Sequence, residues 1–373
     1  MAKLYNLQYA LSDSFLKLVK FITPEENTIS KNLKLDKVFE IRNFVNQCSV
    51  NPSIESNISE LYLQLFNYEI QPNSFFSSFI SNQMISLKKA IEEPMSKNEN
   101  LIVVSGDPQS GKSYLINQFL KTCKNKDCFT IDSPLDFKLK AVEQIVNPLI
   151  HQINSSNSES VDFNNMKDGS LVLILDFELW WRKSKDGFYA VNSWIEVFKK
   201  YKNLTFIIEI NQLLIEHLLM NTKLSECIIK SISTTNFTSK QFSEITDQKS
   251  KMSDQLIYSS ANKVNFKKIN RLISGNIGWF NSFWLSSIEI NNDQCEINPN
   301  YELLFPPVLS DLEITILLNF YWHKRINIDH VESYFSFLNS NKLNEILSFL
   351  KSEKLLILNL SLIHISEPTR LRS

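Results

Sequence analysis

Glycine is scarce in this chain, with six among 373 residues, so a glycine marks a place where the backbone needs one. Cysteine is scarce too: Cys48, Cys123, Cys128, Cys227 and Cys295 form no C-x-x-C pair, and the five histidines are scattered. That excludes a zinc module or a disulfide framework of recognised spacing, and a reducing compartment is the simplest reading. Arginine supplies only six of the 39 basic residues, which leaves few sites for bidentate phosphate recognition. Neither sign of charge is in excess: 39 basic residues face 40 acidic ones for a net charge of −1. A histone-like or polybasic protein is excluded, and any nucleic-acid contact is left to a local patch. Long apolar runs are missing as well. The first twenty residues are broken by polar side chains at helical spacing, and the run from Leu171 to Leu175 stops at Asp176, so no leader and no membrane partner is expected.

What is present is a core. With 43% apolar and 21% charged residues, the chain has material for two or three packed domains. The apolar run Leu101-Ile102-Val103-Val104 is short and branched and leads directly into Gly106-Asp107-Pro108-Gln109-Ser110-Gly111-Lys112-Ser113, after which helical periodicity runs from Tyr114 to Lys121. A strand, a G-x-x-x-x-G-K-S loop and a helix form a phosphate-binding element. The glycines permit the turn that aims backbone N–H groups at phosphate oxygens, and the helix N-terminus adds favourable potential. Lys112 reaches the β- and γ-phosphates, and the Ser113 hydroxyl holds Mg²⁺. ATP with Mg²⁺ is therefore the expected cofactor, bound by Gly106, Asp107, Pro108, Gln109, Ser110, Gly111, Lys112 and Ser113.

The run Leu171-Val172-Leu173-Ile174-Leu175-Asp176 reads as the partner strand, with Asp176 expected at its edge as the second Mg²⁺ residue, acting through water. Phe177 stands where a base that polarises water would follow, and Glu178 is the next carboxylate, a weak candidate for that catalytic role. Asn211, after the strand-like Phe206 to Ile210, stands where a polar sensor could touch the γ-phosphate; a loop asparagine is the equal alternative. The other four glycines flank this machinery: Gly169 and Gly187 lie on either side of the Asp176 strand, and Gly275 with Gly278 mark a turn between helices.

The organisation around the loop is that of an α/β protein. Residues 1–70 read as an extension of short amphipathic helices, and residues 71–245 as a parallel-sheet domain in which strands alternate with helices, including one over 138–153. Residues 246–297 read as a helical lid. In residues 298–359 the capping box Ser310-Asp311-Leu312-Glu313 opens the first of three short helices, and Leu355 to Leu358 reads as a strand. That order suits a winged helix, truncated where its wing would begin, or an ordinary three-helix bundle.

The chain resembles the AAA+ initiator proteins of DNA replication, and among them the family of origin recognition complex subunit 4. The likeness rests on Gly111-Lys112-Ser113-Tyr114-Leu115-Ile116-Asn117, Ala141-Val142-Glu143-Gln144-Ile145, Ile174-Leu175-Asp176-Phe177-Glu178-Leu179 and Leu309-Ser310-Asp311-Leu312-Glu313, and spans about residues 75–358. It implies a nuclear ATP-binding protein that sits among other origin recognition complex subunits and holds double-stranded DNA through the assembled complex. Two arginines of the family pattern are absent: Leu224-Ser225-Glu226-Cys227 occupies the place of one, and Gly278 with Trp279 that of the other. Lys223 or Lys230 would be a poor substitute, because a point charge lacks the guanidinium fork. With the base displaced as well, ATP is expected as a structural ligand rather than a fuel.

The same residues also suit an active P-loop ATPase or kinase, or a scaffold that uses its winged helix for protein contact. Trp180, Trp181, Trp279, Trp284 and Trp322 read as core more readily than as platforms for bases. Lys263, Lys267, Lys268 and Arg271 are either a phosphate-binding cluster or a solvated helix face. Residues 360–373 resemble translated sequencing adapter, so the native chain is expected to continue differently beyond Asn359.

Overall fold

The computed structural model describes residues 37–41, 58–66, 79–92, 99–123, 126–131, 150–152, 162–184, 186–234, 236–254, 258–259, 264–291, 294–299, 308–323, 325–353 and 355–360. They fall into two compact units, residues 43–181 with 187–306, and residues 1–42 with 182–186 and 307–373. In chain order the first elements are strand β1 (Lys37–Ile41), helix α1 (Glu60–Phe66), helix α2 (Ser81–Glu92), strand β2 (Leu101–Gly106), helix α3 (Lys112–Thr122), and strands β3 (Cys128–Ile131), β4 (Ile150–Gln152) and β5 (Leu171–Ile174). Helix α4 (Tyr189–Lys200), strand β6 (Thr205–Asn211), helix α5 (Gln212–Asn221) and strand β7 (Ile228–Ser233) complete the sheet layer of the larger unit.

Its six strands lie in the order β4-β3-β5-β6-β2-β7, with β3, β5, β6, β2 and β7 parallel and only β4 antiparallel. Strands β2, β5 and β6 are buried along their whole length, as expected for interior strands of a sheet covered on both faces. One face packs Ile102, Val104, Leu173 and Ile207 against Leu115, Ile116 and Phe119 of α3. Elsewhere in the unit the aromatics pack on one another: Trp180 meets Trp194 edge-on at 5.1 Å, Trp194 stacks with Phe198 at 5.6 Å, and Phe198 meets Phe206 at 4.9 Å. Trp180, Trp181, Trp284 and Trp322 are all buried, so core packing accounts for them. Strand β7 escaped the sequence reading because it is an edge strand whose Ile228-Ile229-Lys230-Ser231 start is not apolar enough to stand out.

Residues after β7 build the lid: α6 (Ser239–Ser253), the two-residue strand β8 (Tyr258–Ser259), α7 (Phe266–Ile273), α8 (Ile277–Ser286), and strands β9 (Ile288–Asn291) and β10 (Gln294–Ile297). Helix α6 begins at a reciprocal capping box between Thr238 and Gln241, seven residues before the expected lid boundary. Helix α1 packs into the lid rather than standing apart. The Trp284 indole donates to the Tyr62 hydroxyl at 2.8 Å, and Asn281 donates to the Phe66 carbonyl at 3.3 Å. Around them Phe242 and Phe280 stack at 4.1 Å.

The smaller unit contains α9 (Asp311–His323), strand β11 (Arg325–Asn327), α10 (Ile328–Tyr334), α11 (Ser340–Ser352) and strand β12 (Leu356–Leu360). The capping box at its start is formed: the Ser310 N–H donates to Glu313 at 2.6 Å and the Glu313 N–H to Ser310 Oγ at 3.4 Å. Residues 37–41, expected within a helical extension, instead form a strand that lies antiparallel between β11 and β12. The N-terminal segment thereby supplies the central strand of this unit's sheet, a pairing too distant in sequence for local periodicity to reveal. Residues 150–152, the end of the expected 138–153 helix, are the antiparallel strand β4; the rest of that helix and the 361–373 tail lie outside the described residues.

Candidate nucleotide site

Strand β2 sits between β6 and the edge strand β7, so the loop that follows it emerges from an interior strand one place from that edge. The loop turns through left-handed backbone at Gln109, φ 62°, and Gly111, φ 92°, a conformation that glycine adopts without a Cβ penalty. Ser110 is fixed from two sides, its N–H donating to the Asp107 carbonyl at 3.2 Å and its Oγ accepting from Thr234 Oγ1 at 2.7 Å. Gly111 is the N-cap of α3 and has no side chain to cap it. The positive end of that helix is therefore presented toward the loop.

Lys112 is buried, and its amine donates to the carbonyls of Gly106 at 3.1 Å and Asp107 at 3.0 Å. Both acceptors are neutral, so the amine brings positive charge into the cradle with no carboxylate bonded to it. The uncapped helix start and this amine fit the phosphates of a nucleotide. The next residue, Ser113, donates its hydroxyl to Glu209 Oε1 at 2.8 Å. Glu209 is a buried carboxylate on β6 that the motif search passed over; a charged residue inside the apolar run Thr205–Asn211 was the available signal.

The loop is also held from outside, by the start of α8. The Asn276 side chain caps that helix, its Oδ1 accepting from the N–H groups of Gly278 at 3.0 Å and Trp279 at 3.2 Å. Its Nδ2 donates to the Pro108 carbonyl at 2.9 Å, so one amide joins lid to loop. The Gly278 N–H donates to the Gln109 carbonyl at 3.2 Å.

Asp176 follows β5 by two residues, in left-handed backbone at φ 48°, and precedes the 3-10 turn Phe177–Trp180. Glu178 is buried within that turn. Asn211 closes β6 and caps α5, its Oδ1 accepting from the Leu213 N–H at 2.9 Å. That oxygen therefore serves as the cap of α5. Leu224–Cys227 is another 3-10 turn, with Glu226 paired to Lys199 at 2.9 Å on the surface. Lys267, Lys268 and Arg271 are exposed along α7 while Ile269 and Ile273 face the lid core; Lys263 lies outside the described residues. Among the described residues no group of three His, Cys, Asp or Glu side chains could hold a metal, and no helix is long and apolar enough to cross a membrane.

No family model matches the sequence, and no protein of curated function matches it. Among solved structures the chain is similar to a Drosophila origin recognition complex bound to DNA, with 11% identity, 94% of this chain and 97% of that one covered, and a TM-score of 0.38. It is similar to a Walker-type ATPase of Pyrococcus abyssi, with 12% identity, 74% and 89% covered and a TM-score of 0.39. A third likeness is to the RuvB Holliday junction branch migration motor of Thermotoga maritima, with 13% identity, 65% and 74% covered and a TM-score of 0.35. At such distances the fold rests on the chain's own strand order. A parallel sheet with the phosphate-loop strand inside it, the aspartate strand separated from it by β6, and a set of lid helices bonded to the loop make this an α/β fold built around a phosphate-binding loop.

Proposed function

We propose that the chain is an ATP-binding, non-hydrolysing subunit of an origin recognition complex that helps hold double-stranded DNA for replication initiation in the nucleus. One observation carries the non-hydrolysing part. The Gly278 N–H is bonded to the phosphate loop at the Gln109 carbonyl, and in this reading the glycine stands where the resemblance implies a lid arginine. Phe177 in place of an adjacent base and the arginine-free turn Leu224–Cys227 point the same way.

In this reading Gly106 to Ser113 hold the phosphates, Lys112 meets the β- and γ-phosphates, and Ser113 with Asp176 holds Mg²⁺. Bound Mg²⁺ would neutralise phosphate charge. ATP then stabilises the fold and its interfaces by mass action, about 2.7 kcal/mol at a hundredfold excess over Kd. The three helices and antiparallel sheet of the smaller unit serve as the winged helix, and Lys267, Lys268 and Arg271 add phosphate contacts once other subunits close around the duplex.

The experiment is purification of the chain with its bound partners, followed by DNA titration over a salt series against the chain alone. The expected result is salt-dependent binding by the complex, weakened alike on all sequences by charge reversal at Lys267 and Lys268. Tight, sequence-selective binding by the isolated chain at physiological salt would overturn the reading.

A further inference from the structure

Side chains two apart on a strand share a face. Ile207 packs beneath α3 together with Leu115 and Ile116, and Glu209, two residues further along β6, lies on that same face. Its carboxylate accepts the Ser113 hydroxyl proton at 2.8 Å. A serine that ligates a cation must turn a lone pair toward the metal and its proton elsewhere. A carboxylate behind the hydroxyl fixes that orientation and adds negative charge next to the cation, as outer partners of metal ligands generally do.

We propose that Glu209 is a positioning residue for Mg²⁺: it orients Ser113 toward the metal from the strand beside β2, a task distinct from that of Asp176 beyond β5. The inference rests on the ATP and Mg²⁺ reading of the loop. A merely structural role, tying α3 to β6, would need an acceptor but no charge. Glu209→Gln separates the two, because the amide keeps an acceptor oxygen of the same shape and removes the charge.

The test is binding of a fluorescent ATP analogue to the full chain, in EDTA and across a Mg²⁺ titration. The expected result for Glu209→Gln is that the Mg²⁺ concentration giving half-maximal enhancement of binding rises about 10–100-fold, while affinity in EDTA stays within about twofold of wild type. The variant Glu209→Gln/Ser113→Ala is expected to be no worse than Ser113→Ala alone, because Glu209 acts through Ser113. A Mg²⁺ midpoint unchanged in Glu209→Gln, or wild-type binding that ignores Mg²⁺, overturns the inference and leaves the nucleotide reading standing. Absence of wild-type binding in both conditions removes the nucleotide reading and the inference with it.

Discussion

The backbone N–H of Gly278 donates to the carbonyl of Gln109, so the first turn of α8 and the phosphate loop meet with no side chain between them. A Cβ on residue 278 would run into the Gln109 Cβ and stand 2.9 Å from its carbonyl oxygen. The close approach explains the glycine better than backbone freedom does, since Gly278 is not among the residues with positive φ.

Gly278→Ala is therefore expected to cost about 1–3 kcal/mol, the range for forcing one carbon into a packed site. Thermal denaturation checks it. ATP affinity should fall in the same variant, because Gln109 lies in the loop that is displaced.

Asn276 uses both ends of its amide, the oxygen as helix cap and the nitrogen on the Pro108 carbonyl. Asn276→Asp keeps the cap and loses the donor, placing a carboxylate against a carbonyl next to the expected phosphates. Loss of the donor at this part-buried carbonyl is expected to weaken lid–loop coupling by about 0.5–1.5 kcal/mol. Calorimetric ATP titration should show reduced affinity for this variant, with helix content by circular dichroism unchanged. Equal affinity would mean that the lid contact has no bearing on the nucleotide.

The phosphate loop was legible because its chemistry is local: glycines, lysine and serine at fixed spacing need no partner to be recognised. Strands β2, β5 and β6 were legible for a related reason, since interior parallel strands are near-continuous apolar runs. What was not legible depends on contacts across the chain. Glu209 shows in the sequence only as a charge in an apolar run, its partner Ser113 appears once β6 is placed beside β2, and the pairing of residues 37–41 with β11 and β12 spans most of the sequence. Helix α6 was readable in principle from Thr238 and Gln241, whose capping box marks its start.

Lys249 gives a test of the lid core that is independent of nucleotide. It is fully buried, donating to Asn281 Oδ1 at 3.2 Å with its amine 3.8 Å from the centre of the Phe66 ring. Burial holds its pKa well below the usual lysine value. The unfolded chain then binds a proton that the folded chain does not, so this residue's destabilising contribution is largest at low pH. It fades as pH rises through the folded-state pKa and is gone by the unfolded value near 10.4. Melting curves of wild type and Lys249→Met across that range should converge with rising pH, by at most about 1.4 kcal/mol per pH unit. A constant offset would show that the amine is not desolvated in the folded chain.

The central claim is that the chain holds ATP without consuming it, and the direct measurement follows fluorescent ATP binding and phosphate release in one sample of purified protein. The account predicts saturable, Mg²⁺-dependent binding that Lys112→Ala abolishes, with phosphate release no faster than in that variant. Release from the wild type at roughly 1 s⁻¹ or faster, the ordinary range of enzymes, would contradict it.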